Sequence, residues 1–180
     1  MSKAVLISIK PKWCELIASG KKTVEVRKTK PKLETPFKVY IYQTLHREHN
    51  GRTYSDGKVI GEFVCDKIIT LRYSCGSYWC EGLNRVENDR IASASQLSLY
   101  DMRNYLSCNG GYAWHISDLV IYDKPKALSE FRQPCVNDHI CRRCGYEKLV
   151  FQNGCFATTY CDLKLRRPPQ SWCYVEEGRQ

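Results

Sequence analysis

The sequence predicts a small, mainly β fold with flanking helices, an α+β barrel carrying a cysteine-rich excursion. Three observations predict it. Segments of strand pattern outnumber segments of helical pattern. Gly61 interrupts an apolar strand run, where a small barrel needs a sharp corner. Six of the eleven cysteines crowd between residues 135 and 173. A chain of 180 residues fits a single domain, 1–180, and 43% apolar content with 12% aromatics suffices for a core. No apolar run approaches the ~20 residues that span a bilayer, so no membrane partner is expected. The apolar stretch Ala4 to Ile9 is closed by Lys10 and Lys12, too short for a signal peptide, and a cytoplasmic location is the expectation.

Taken in order, Ala4-Val-Leu-Ile-Ser-Ile9 reads as a buried, β-branched first strand. Pro11 suits a helix's first turn and Gly20 its end; Trp13, Leu16 and Ile17 between them share one helical face. Residues 21–27 follow as a half-buried strand, with Val24 and Val26 inward and Thr23, Glu25 and Arg27 on a charged outward face. Phe37 to Tyr42 and Val59 to Ile69 are the next strands, separated by turns at Asn50-Gly51 and Asp56-Gly57. Ser98-Leu-Tyr-Asp101 resembles a capping box opening a short helix with Met102, Tyr105 and Leu106. Gly110-Gly111 ends it, Tyr112 to Tyr122 returns to strand, Lys126 to Phe131 is a helical turn, and Ser171 to Glu176 closes as a last strand.

The net charge of +9 is unevenly spread. Residues 1–40 hold ten Lys and Arg against three acids, residues 41–123 eight against ten, and residues 124–180 ten against six. Basic excess at both ends of the chain points to a polyanion, nucleic acid first; the alternative is a charged surface serving solubility.

Cys141-Arg-Arg-Cys144 is a C-x2-C knuckle followed by Gly145, and Cys155 and Cys161 form a looser pair. Four thiolates so placed predict a closed structural zinc site within 135–161, with Cys135 and His139 as alternate ligands. A redox C-x2-C and buried unliganded thiols are the rival readings. A disulfide framework fits neither the odd number of cysteines nor a reducing compartment.

At Gly20-Lys-Lys22-Thr-Val-Glu25-Val-Arg27 the sequence resembles the G-x-K-x-x-E-x-R signature of the ASCH domain family. Val59-Ile-Gly-Glu-Phe63 is similar to a strand that follows in that family, and Tyr112-Ala-Trp-His115 and Arg167-Pro-Pro-Gln-Ser-Trp-Cys-Tyr174 resemble segments of phage-type members. The resemblance spans about residues 4–70 and 112–176. It leaves aside 72–110, read as a helical insertion, and the cysteine segment. It implies a PUA-like β-barrel and a role on RNA or nucleotides. Some members are implied to be hydrolases, an amidohydrolase of acylated cytidine and a ribonuclease. The amidohydrolase's catalytic Lys maps onto Lys22, whereas its catalytic Thr falls at Glu25.

Each candidate has two readings. Lys22 is a phosphate contact, a base or nucleophile if burial lowers its pKa, or a solvated surface lysine. Arg27 clamps a phosphate with Glu25 as acid or base, or the two form a structural pair orienting the Lys22 loop. Convergence of all three requires the chain to twist between residues 22 and 24. Lys12 joins Lys22 and Arg27 as a basic contact. Trp172 and Tyr174, with Tyr112 and Trp114, are a base-stacking platform or barrel core; helical spacing assigns Trp13 to the core. His115 is a catalytic imidazole or a satisfied barrel histidine. RNA or a nucleotide is therefore the expected partner, through a basic cleft around Lys22 and Arg27. Hydrolysis of RNA or a modified nucleoside is the alternative, and a phage-like host-protein partner bound through 72–110 and the zinc segment is a third.

Overall fold

Burial on both faces explains the continuous apolar run of β1 (Lys3–Ile9). Val5 and Ile7 point into a core with Val39, Phe63 and Trp114, while Ala4 and Leu6 point into another with Tyr40, Phe131 and Leu165. The computed structural model describes residues 3–47, 53–82, 84–134, 149–152, 155–158 and 163–177. After β1 come α1 (Pro11–Ala18), β2 (Val24–Arg27), β3 (Phe37–Gln43), a hairpin of β4 (His46–Arg47) and β5 (Thr53–Ser55), β6 (Lys58–Cys65), β7 (Ile68–Ser74) and β8 (Ser77–Cys80). Helices α2 (Arg85–Ser95) and α3 (Leu99–Leu106) precede β9 (Gly111–His115) and β10 (Ser117–Lys126). A 3-10 turn at Leu128–Glu130, the β11 (Leu149–Gln152) and β12 (Cys155–Thr158) hairpin, and β13 (Trp172–Glu176) complete the described elements.

Two sheets, ordered β10-β6-β3-β1-β13 and β2-β9-β7-β8, curl into a half-barrel. β1 runs parallel to β3 and antiparallel to β13; the other named pairings are antiparallel. Two runs expected as single strands, Val59 to Ile69 and Tyr112 to Tyr122, are each two strands that pass from one sheet to the other. Their breaks lie side by side. The His115 N–H donates to the Lys67 carbonyl at 2.9 Å, the Ile116 N–H to the Thr23 carbonyl at 2.9 Å, and Asp66 and His115 pair at 2.7 Å. Period-two patterning continues through such a corner, so the sequence alone does not show it.

Gly61 lies beside a register shift between β3 and β6, the irregularity anticipated there. A Cβ at Gly61 would stand 2.4 Å from the Val120 carbonyl oxygen, so β10 crosses too closely for any side chain. Gly61→Ala is expected to lower stability by roughly 1–3 kcal/mol, read as a lower denaturant midpoint; an unchanged midpoint would contradict the close approach.

The 72–110 segment, expected as a helical insertion, opens with the end of β7 and with β8 before its two helices. Met102 and Leu106 of α3 bury against Val24, Val26, Ile69 and Leu71, so the segment covers one face of the four-stranded sheet. α2 starts at a capping box of Asn84 and Glu87, α3 at the anticipated one of Ser98 and Asp101. Among the described residues, no helix is long and apolar enough to cross a membrane.

Candidate ligand cavity at the β2 edge

All four residues of β2 are buried, so the face expected to meet solvent looks into the molecule. Gly20, at φ +72°, takes the left-handed conformation that ends α1, and the Lys22 N–H donates to the Leu16 carbonyl at 2.9 Å. This tight exit turns Lys22 inward, where only 2% of it remains exposed. Its Nζ donates to the Ser95 carbonyl at 2.6 Å, lies 3.3 Å from Glu25 Oε2, and sits 5.3 Å from the centre of the Trp13 ring. Ser95 ends α2, so the ammonium also meets the negative end of that helix's dipole.

Glu25 bridges two cations. Its other oxygen, Oε1, accepts from Arg27 at 2.9 Å, and the same guanidinium nitrogen donates to the Ser8 carbonyl of β1 at 2.7 Å. This contact spans the seam between β2, the terminal strand of its sheet, and β1 of the other sheet. The twist between residues 22 and 24 that convergence requires is therefore present, and Lys22, Glu25 and Arg27 converge. Two cations share one carboxylate, which leaves positive charge in excess. Arg27 is 6% exposed, yet its Nε–H has no hydrogen-bond partner among the described residues.

Burial pushes the Lys22 pKa below its ordinary value of 10.5; the Glu25 carboxylate opposes that shift without cancelling it. Cys14, behind the seam, is pushed up to about 12, mainly by burial, and behaves as a small apolar side chain.

The triad lines a cavity of about 750 Å³, within the range that holds a drug-sized ligand. Trp13, Tyr105, Lys10 and Pro169 contribute to its walls, and Asp101 supplies a second carboxylate. Trp13, assigned by its spacing to the core, packs against the core and lines the cavity as well. Ser8, Ser95, Tyr105 and the 168–170 stretch were not legible as site residues, because they come together only through tertiary contacts.

Other candidates lie elsewhere. Lys12 is exposed on α1, with its ammonium 4.8 Å from the Trp13 ring centre. Trp172 and Tyr174 of β13 pack against the core outside the cavity lining. The Trp172 Nε1–H donates to Thr29 Oγ1 at 3.0 Å, and the Tyr174 hydroxyl accepts from the Lys32 N–H at 2.7 Å. His115 faces Asp66 at the barrel corner, also outside the lining. Cys135, His139, Cys141, Cys144 and Cys161 lie outside the described residues, as does the side chain of Cys155. Among the described residues, no three His, Cys, Asp or Glu side chains are grouped to hold a metal.

The structure is thus a half-open β fold whose seam carries a net-positive triad lining a cavity. The chain belongs to the ASCH domain family, whose sequence profile matches residues 7–103, more than half its length. That match runs through most of the segment set aside as an insertion. Among solved structures, the chain is similar to the crystal structure of ASCH from Zymomonas mobilis, at 23% identity over 69% of this chain and 73% of that one, with a TM-score of 0.52. A mutant form of the same protein aligns over 97% of this chain and 89% of its own, at 21% identity and a TM-score of 0.56. At these identities the likeness is one of fold. No curated protein matches the sequence.

Proposed function

We propose that the cavity binds RNA or a nucleotide, with Arg27 meeting an anionic group and Lys22 and Glu25 holding the guanidinium in place. The observation that carries this reading is the buried Arg27 with an unpartnered Nε–H, lining a cavity whose triad holds two cations and one anion. A planar guanidinium held on one edge keeps donors for a phosphate, a fork geometry that a lysine does not offer. Membership of a family associated with RNA supports the same choice of polyanion. Affinity for single-stranded RNA is expected to fall about tenfold between about 50 and 200 mM salt, the loss that roughly two to three phosphate contacts produce. Salt-independent binding, or none at low salt, would contradict it.

One observation favours hydrolysis of RNA or an acylated cytidine as a second reading: Lys22 is buried at the cavity with a lowered pKa, beside a carboxylate. Turnover lost in both Lys22→Arg and Glu25→Gln would support it, since guanidinium does not give up its proton near neutral pH. The spacing of Cys141, Cys144, Cys155 and Cys161 further supports one structural zinc ion. Purified protein should carry about one zinc per chain, and Cys144→Ser should lose it and melt earlier; metal-free, fully folded wild type would refute this.

A further inference from the structure

Beyond Arg27 the chain carries three exposed lysines, Lys28, Lys30 and Lys32, and no acid among residues 28–32. Two of them sit over tyrosine rings. Lys28 Nζ is 5.4 Å from the ring centre of Tyr105, and Lys30 Nζ is 5.3 Å from that of Tyr112. Tyr105 is 36% exposed and lines the cavity; Tyr112 is half-buried and is the cross-strand partner of Arg27. One lysine–tyrosine pair thus borders the cavity at Tyr105, and the second lies beside Arg27, on its cross-strand partner Tyr112.

This rim is anchored. Trp172 holds Thr29 and Tyr174 holds the backbone of Lys32, so β13 fixes both ends of the stretch. Asp101, one turn before Tyr105 on α3, is engaged by Ser98, whose hydroxyl donates to it at 2.7 Å and keeps its pKa low.

We infer that this rim is a track for single-stranded RNA, on which nucleotides next to the one in the cavity rest on Tyr105 and Tyr112 while Lys28 and Lys30 take their phosphates. The inference rests on the reading that the cavity takes a nucleotide. An ammonium over an exposed ring is held weakly, and a nucleobase that stacks on the ring displaces it toward the adjacent phosphate. A paired duplex keeps its base faces stacked inside and cannot use the rings.

The test measures affinity for a mononucleotide, a tetranucleotide RNA and the same RNA annealed to its complement. The tetranucleotide should bind about tenfold or more tighter than the mononucleotide, and the duplex more weakly than the single strand. Lys28→Ala/Lys30→Ala should lower the tetranucleotide salt slope by about 1.4 units, because each single-strand phosphate contact contributes about 0.7. Its mononucleotide affinity should stay within about twofold, a readout that does not depend on altering a half-buried ring. Mononucleotide binding without a gain in length would overturn the track and leave the cavity reading standing. Equal affinity for duplex, or an unchanged salt slope in the double variant, would also overturn it. Failure of both mononucleotide and RNA to bind would remove the cavity reading and the track with it.

Discussion

Glu25→Leu is expected to destabilise the fold by about 3–5 kcal/mol, the largest effect of any substitution at the site. Glu25 is the carboxylate between Lys22 and Arg27, at 3.3 Å and 2.9 Å, and both cations are buried. Removing it leaves two like charges facing each other without water. Lys22 can shed its charge and Arg27 cannot, so the damage should depend on pH. In the wild type the folded-state pKa of Lys22 already lies below the unfolded value of 10.5. The unfolded chain therefore binds more protons in the window beneath 10.5, and stability contributed by this group rises with pH there. Without Glu25 the folded pKa drops further and the window widens. Urea unfolding should show the cost of Glu25→Leu shrinking as pH rises, and Lys22→Met added to Glu25→Leu should recover part of it. A cost below about 1 kcal/mol, or no recovery in the double variant, would mean the triad is not electrostatically coupled.

Arg27→Met should cost at least about thirtyfold in RNA or nucleotide affinity, ~2 kcal/mol or more, the scale of truncating one member of a buried charged contact. The fold should survive better than in Glu25→Leu, because Glu25 keeps Lys22 as its partner. Arg27→Lys restores charge without the fork and should recover only part of the loss. Titration of a labelled RNA, with melting curves as the control for folding, reads all three proteins. A folded Arg27→Met protein that binds like wild type would remove Arg27 from the ligand contact. The same titration extended to Lys22→Met separates a ligand contact from a support, since a support loses affinity only as far as Glu25 and Arg27 shift.

The sequence displayed much of the fold because its local signals are strong. The run from Ala4 to Ile9, the Pro11 and Gly20 limits of α1, the Ser98–Asp101 cap and the Gly61 irregularity all depend on neighbours in the chain, and all occur. The strand ends at Asp66–Lys67 and at Ile116 leave no mark in the sequence, because the chain changes sheets there without changing its alternation. The 72–110 segment interrupts the resemblance read from the sequence and so reads as an insertion; in the fold Met102 and Leu106 cover a sheet face and Ser95 presents its carbonyl to Lys22.

For the site, the sequence by itself determined its charged members: the spacing of Lys22, Glu25 and Arg27 after a glycine-ended helix sets the order of charges, and alternation puts Glu25 and Arg27 on one face. Which way that face looks was decided only in three dimensions. Alternation specifies that two faces differ, whereas burial depends on what covers each of them. Here the cover is Ser95, 73 residues beyond Lys22, and Ser8, 19 residues before Arg27. Their carbonyls supply acceptors that an ammonium and a guanidinium need once water is excluded, and no local pattern announces a backbone carbonyl. The physical reason is the same for the cavity: it is the space left where β2, α3 and the 168–170 stretch meet, and its existence depends on how those elements pack rather than on any one of their sequences.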